Sequence, residues 1–309
     1  MQKAYLMTLF EIAESDSNVV LLLADSGSGY DELFRQSLPE QMVDFGIAEE
    51  NMVAAASGMA SCGSIPFVYT AGTFLAYRSM EFIRDDVCLQ NRNVKLIGMG
   101  SGLAWSTLGP THHTTEDLGI LRSLPGLTVL TPSCPSMAAK CVRFAYEHRG
   151  PVYIRLGMGG EPELYLDDYD IMRGGSICLS DGSDVTIFSC GSLLSEVQKA
   201  VEALCEDGIS AKLIDMYSIS PFDKETVLCE AQSGRPLIVI EEHNITGGLG
   251  SAVSEVIAEN GVATRFLRIG LNGTFATGYG THGEVRKQNE LDAESLKSRV
   301  LKFMEVGRS

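Results

Sequence analysis

The feature that most restricts the fold of this chain is a short apolar run that recurs without polar alternation. It appears as N-V-V-L-L-L-A at Asn18 to Ala24, I-P-F-V-Y-T at Ile65 to Thr70 and V-K-L-I-G-M at Val94 to Met99. L-T-V-L-T-P at Leu127 to Pro132 and P-V-Y-I-R-L at Pro151 to Leu156 continue the series. A strand with one wet face alternates polar and apolar residues; one covered on both faces need not, as in a parallel sheet between helix layers. Stretches of helical spacing separate the runs: Lys3 to Ser15, an alanine-rich segment opening at Glu49, Ala71 to Val87, and Pro135 to His148, closed by Gly150. The alternation predicts a doubly wound α/β domain. Thr73 is expected to cap the helix in which Phe74, Tyr77 and Met80 form one stripe. Thr114 and Asp117 are expected to make a capping box for a short helix that Pro125 ends.

From about Gly157 to Gly182 periodicity is lost, which reads as a linker or extended crossover. A second α/β pattern follows, with D-V-T-I-F-S-C-G, A-K-L-I-D-M-Y, P-L-I-V-I-E-E and R-F-L-R-I-G as strands. Asp223 is placed to cap the helix after S-P-F, and G-G-L-G at Gly247 to Gly250 opens another. The expected organisation is two α/β domains in series, residues 1–170 and a smaller domain over 171–309.

Composition bounds the function. With 309 residues, 45% hydrophobic and 21% charged, a large buried core is expected. A formal net charge of −16 argues against a nucleic-acid surface or an anionic-membrane surface, since both need a basic footprint. Eight cysteines are spread without a C-x-x-C pair, a pattern of reduced, buried thiols. The first residues form an amphipathic helix with Glu11 and Glu14, not a signal peptide, and no apolar run approaches the ~20 residues of a membrane span. A cytoplasmic location is the expectation.

The common cofactor motifs fail: there is no G-x-x-x-x-G-K-[ST], no G-x-S-x-G elbow and no H-E-x-x-H pair, and G-G-L-G-S-A-V lacks the third glycine of a dinucleotide fingerprint. D-S-G-S-G-Y, Asp25 to Tyr30, lies at the carboxyl end of the first strand, where open α/β sheets bind ligands. Two constellations remain. Glu49 is a lone acid among Ala48, Ala54, Ala55, Ala56 and Gly58, with the aromatics Phe74 and Tyr77 following. G-P-T-H-H, Gly109 to His113, precedes Arg155 at a later strand end. A zinc site from His112, His113 and Glu116 has suitable residue types but no ligand spacing behind it.

Together D-F-G-I-A-E-E-N-M, T-F-L-A-Y, G-P-T-H-H-T-T-E-D-L-G-I-L-R-S-L-P and E-E-H-N-I-T-G-G-L-G-S-A-V resemble the transketolase family of thiamine diphosphate enzymes across essentially the whole chain. The chain is also similar to 1-deoxyxylulose-5-phosphate synthase and, more distantly, to 2-oxoacid dehydrogenase beta subunits. The resemblance implies a thiamine-pyrimidine-binding domain followed by a transketolase C-terminal domain. It implies that Glu49 hydrogen-bonds N1′ of the aminopyrimidine, that Phe74 and Tyr77 flank that ring, and that His112 contacts the donor's oxygens. It further implies that Arg155 holds an anionic group on the sugar, so that the donor is phosphorylated or otherwise anionic.

The family's G-D-G…N segment for Mg²⁺ and the diphosphate does not occur here; S-D-G-S-D at Ser180 to Asp184 reads as a turn. The resemblance therefore implies the carboxyl-terminal subunit of a split transketolase, inactive alone and completed by an N-terminal subunit in an α₂β₂ assembly. Two positions depart from the family: Gly100 stands where a phosphate-binding histidine is placed, and Leu108 where an aspartate is. A serine of the phosphate site falls in the Asp25 to Tyr30 loop, near Ser28. These departures open the donor to a different ketose phosphate, a sulfonated sugar or a shorter unphosphorylated ketose. The rival activity is 2-oxoacid decarboxylation; a non-catalytic scaffold is the remaining alternative.

Overall fold

The computed structural model describes residues 1–27, 29–165 and 169–305. Its strands are β1 (Val19–Leu23), β2 (Met42–Asp44), β3 (Ile65–Ala71), β4 (Lys95–Met99), β5 (Thr128–Leu130) and β6 (Val152–Leu156). They continue as β7 (Ile177–Ser180), β8 (Val185–Ser189), β9 (Ala211–Asp215), β10 (Ser218–Ser220), β11 (Leu237–Asn244) and β12 (Phe266–Leu271). One sheet has the order β10-β5-β6-β4-β3-β1-β2 and the other β12-β11-β8-β9-β7. The neighbours from β5 through β2 pair in parallel.

Side-chain direction explains why the runs do not alternate. In β1, Val20 and Leu22 enter one apolar cluster while Leu21 and Leu23 enter another, and β3 divides Val68 from Phe67 and Tyr69 in the same way. The second of these faces lies under the helices Gln2–Ser15 and Pro135–Glu147, which supply Tyr5, Leu9, Met137 and Val142. The first lies under the helix Glu49–Ser61 and is shared with Phe188, Met216, Val239 and Leu249 from the chain's second half. The two halves thus share one core. They also share a sheet, because β10 pairs antiparallel with β5 although it follows residue 171.

Four local expectations change. The stretch Gly157 to Gly182 contains β7, an antiparallel edge strand on β9. The expected helix over Ala71 to Val87 is broken into a π-helical turn at Phe74–Arg78, a short α-helical piece at Met80–Phe82 and a second π segment at Ile83–Cys88. Thr73 makes no side-chain cap: its own backbone is already helical (φ −61°, ψ −45°), so its hydroxyl is not in the extended cap geometry. Nor do Thr114 and Asp117 form a capping box. The Thr114 hydroxyl donates to the Gly100 carbonyl (3.3 Å), and the Asp117 carboxylate accepts from Arg155 and Tyr153. Asp223 does cap its helix, accepting from the Thr226 N–H at 3.0 Å. No helix among the described residues is long and apolar enough to cross a membrane.

Where the halves meet, the fully buried Asp215 accepts from the Ser133 and Tyr165 hydroxyls, each at 2.6 Å. Burial pushes its carboxyl up to about 7, against the two hydrogen bonds that pull it down. Because the folded value lies above the unfolded one, the unfolded chain binds fewer protons between pH ~4 and ~7. Stability at this residue therefore falls as pH rises through that window, by at most ~1.4 kcal/mol per pH unit. In urea unfolding at pH 4.5 and 7, the stability of the native chain relative to Asp215→Asn should decline toward pH 7. A difference independent of pH would contradict the assignment.

Candidate active site

The site lies at the carboxyl ends of β1, β3 and β4, where the strand order reverses direction about β1, the position open α/β sheets use for ligands. A cavity of about 290 Å³ opens there. Asp25 and Ser26 line it after β1, Thr70 and Ala71 at the end of β3, and Met99 at the end of β4. The loop after β1 is pinned by the Ser26 hydroxyl donating to the Tyr69 carbonyl (2.9 Å) and by the Asp25 N–H donating to the Asp44 carboxylate (3.1 Å). Ser28 lies outside the described residues.

Glu49 is the first residue of the helix Glu49–Ser61, where the positive end of the helix dipole favours a carboxylate. Small residues let this helix lie against β3, and the Ser57 hydroxyl ties it to the Asp86 carbonyl at 2.7 Å. Glu49 is 2% exposed and lines the cavity. Its Oε2 accepts from Nη1 of Arg78 at 2.6 Å. The same guanidinium lies over the Phe74 ring, 4.8 Å from its centroid. Glu49 and Phe74 therefore present a carboxylate and an aromatic face to one planar, nitrogen-bearing cation.

Phe74 lines the cavity, whereas Tyr77 is turned away from it. The cause is the π-helical turn Phe74–Arg78: with more residues per turn, side chains three apart no longer share a face. The Tyr77 hydroxyl is spent on Glu116, donating to its carboxylate and accepting from its N–H, both at 2.9 Å. Burial, with Asp117 and Glu116 nearby, raises the Tyr77 phenol well above its usual range.

The remaining wall is the loop after β4. It is anchored at its base by reciprocal backbone bonds between Gly102 and Thr114. Trp105, Leu108 and His112 face the cavity from it. His112 packs edge-on against Phe74 (5.2 Å between centroids), with Trp105 6.3 Å away, and its Nδ1 lies 3.0 Å from the Thr111 hydroxyl. His113 points the other way and is buried with neither ring nitrogen partnered; desolvation lowers its pKa, which favours the neutral ring. Among the described residues no group of three or more His, Cys, Asp or Glu converges as metal ligands would, so His112, His113 and Glu116 do not form a zinc set.

Arg155 does not reach the cavity. Its guanidinium is buried, with Nε on the Asp117 carboxylate (2.9 Å) and Nη2 on the carbonyls of Thr114 (2.6 Å) and Glu242 (3.2 Å). Held by Asp117 and two carbonyls, Arg155 does not line the cavity, so the geometry brings it to the core beside the site and not to the cavity wall where an anion-binding role is expected. Arg78 and Trp105, by contrast, belong to the site although the motifs do not mark them. The signal for Arg78 is its place one residue after Tyr77 in the aromatic segment; for Trp105 it is the loop between a strand end and G-P-T-H-H.

A further cluster outside the cavity fixes this loop. Glu242, at the end of β11, accepts from the Leu103 N–H (2.6 Å), from His282 Nε2 (2.7 Å) and from Arg286 Nε (2.6 Å). Burial alone would push its carboxyl up, but Arg286 and His282 hold it far below the usual carboxylate range.

A carboxylate at a helix head and an aromatic ring thus line one cavity on the first of two joined α/β units. Comparison with known proteins gives the chain a family. The profile described as "Transketolase, pyrimidine binding domain" matches residues 1–159, and that described as "Transketolase, C-terminal domain" matches residues 174–295. A putative transketolase C-terminal section from Methanocaldococcus jannaschii is 35% identical, with 98% of this chain and 96% of that protein covered. One subunit of an apulose-4-phosphate transketolase from Phocaeicola vulgatus is 33% identical, with 98% and 97% covered. A solved structure described as a split gene transketolase, inactive beta4 tetramer, superposes with a TM-score of 0.89 at 33% identity, covering 98% of each chain. The chain belongs to the transketolase family.

Proposed function

We propose that this chain is the carboxyl-terminal subunit of a thiamine-diphosphate-dependent transketolase that moves a two-carbon ketol unit from a ketose to an aldose. In this reading a separate N-terminal subunit holds Mg²⁺ and most of the diphosphate, the assembly is α₂β₂, and it works in the cytoplasm. The observation that carries the reading is the Arg78 guanidinium: a planar group that donates to Glu49 and stacks over Phe74 occupies the contacts an aminopyrimidine would need. Relatives named as a C-terminal section and as one subunit of a transketolase support the two-chain arrangement.

The cofactor, when bound, supplies a carbon acid able to accept and release the two-carbon unit. This chain's Glu49 would hold a proton shared with the pyrimidine ring nitrogen, a general acid–base role. Phe74 would cover one face of that ring. His112, packed between Phe74 and Trp105, would contact oxygens of the donor. The apolar side chains at the mouth, Ile47 (75% exposed) and Leu108 (49%), suit a surface that a partner subunit covers.

The test combines the chain with its N-terminal partner, thiamine diphosphate and Mg²⁺, and offers a ketose with an aldose. Transfer of two carbons, absent with either polypeptide alone, is the expected result. Carbon dioxide release from pyruvate in place of ketol transfer would overturn the reading.

A further inference from the structure

We propose that Trp105 is the specificity-determining residue of this site: its indole closes the cavity beyond His112 and admits donors whose end remote from the carbonyl is short and uncharged. The inference rests on the ketol-transfer reading above and adds the substrate class. Contacts give the order of groups along the wall. Arg78 joins Glu49 to Phe74, Phe74 touches His112, and His112 is followed by Trp105. With the pyrimidine on Glu49 and Phe74 and the donor's oxygens on His112, as proposed above, the neighbour of the donor's remaining length is the Trp105 indole.

Gly100 shows how fully the indole takes that space. With φ +78°, a Cβ at position 100 would sit 2.0 Å from Nε1 of Trp105 and 2.4 Å from its Cδ1. Contacts that short are impossible, so a side chain at position 100 and the indole exclude one another. The Trp105 N–H is buried with no acceptor, so no hydrogen bond holds the ring. The indole is thus held by packing, as a volume filler. Its loop is also fixed: the Ser101 N–H donates to the Leu156 carbonyl (2.9 Å), the Ala104 N–H to the Ser101 carbonyl (3.2 Å) and the Leu103 N–H to Glu242.

Charge points the same way. Among the described residues lining the cavity, Asp25 and Glu49 are acidic and none is lysine or arginine. Arg155 is engaged with Asp117. A phosphate or sulfonate pressed against Trp105 and Leu108 would lose water, while the guanidinium of the site, Arg78, is held at the other end on Glu49 and Phe74, so the transfer is unfavourable.

The test uses the two-subunit holoenzyme, erythrulose as a neutral four-carbon donor, fructose 6-phosphate as a longer anionic one, and one aldose acceptor. The native enzyme should favour erythrulose in kcat/KM by at least tenfold, and Trp105→Ala should move that ratio at least tenfold toward fructose 6-phosphate. Because Trp105 is the only tryptophan of the chain, 5-fluorotryptophan labelling of this subunit gives one ¹⁹F resonance, a readout independent of turnover. Erythrulose should shift it at lower concentration than fructose 6-phosphate does. A native preference for the phosphorylated donor, or an unchanged ratio in Trp105→Ala, would overturn the proposal while leaving ketol transfer intact. If no ketose is turned over, the transfer reading falls, and the order of the two ¹⁹F titrations alone decides the role of Trp105.

Discussion

Glu49→Gln should lower turnover of the assembled enzyme by at least ~100-fold, the scale of general acid–base contributions. The substitution keeps the shape of the side chain at the head of the helix Glu49–Ser61 and removes only its capacity to hold and return a proton. Its fold should therefore be preserved, and near-normal activity would refute the role. Arg78 supplies the control. It contacts the same carboxylate, yet it is partly exposed and stands where the cofactor ring would lie. Arg78→Gln should cost less than tenfold in kcat. An equal loss in both variants would mean that the ion pair, not the acid, sustains activity.

Glu242→Ala should cost about 3–5 kcal/mol of stability, the range for removing one partner of a buried ion pair. The variant leaves Arg286 buried without its carboxylate, His282 without its acceptor and the Leu103 N–H orphaned. Urea unfolding measures the loss, and a change below about 1 kcal/mol would remove Glu242 as a fastening. Since Leu103 precedes Trp105 by two residues, hydrogen exchange through residues 100–113 should speed up more than exchange in the first sheet.

Much of the fold is legible in the sequence because burial on both faces leaves a mark that survives without tertiary knowledge. Val20 and Leu21 go to opposite cores, and both are apolar for that reason. Glu49 is legible for the opposite reason, as an acid where packing asks for none. Tyr77 is not, because helical spacing assumes α geometry, and the π-helical turn at Phe74–Arg78 rotates it onto Glu116. Where Arg155 points is not legible either, because an arginine at a strand end looks the same whether it lines a cavity or pairs with Asp117. Thr114 and Asp117 have the spacing of a capping box, yet each finds a distant partner, Gly100 and Arg155, that the spacing does not reveal. The strand Ser218–Ser220 joining the first sheet depends on pairing across the two halves, which no local pattern announces.

Ile47 and Leu108 leave greasy side chains exposed on the rim of the cavity. In the two-subunit reading proposed above, such a rim is a liability wherever the mate is scarce, since surplus copies can satisfy it only by clinging to one another. Gene dosage then becomes part of the protein's chemistry. Balanced synthesis of the two polypeptides, as from a single transcript, is the simplest safeguard against that surplus.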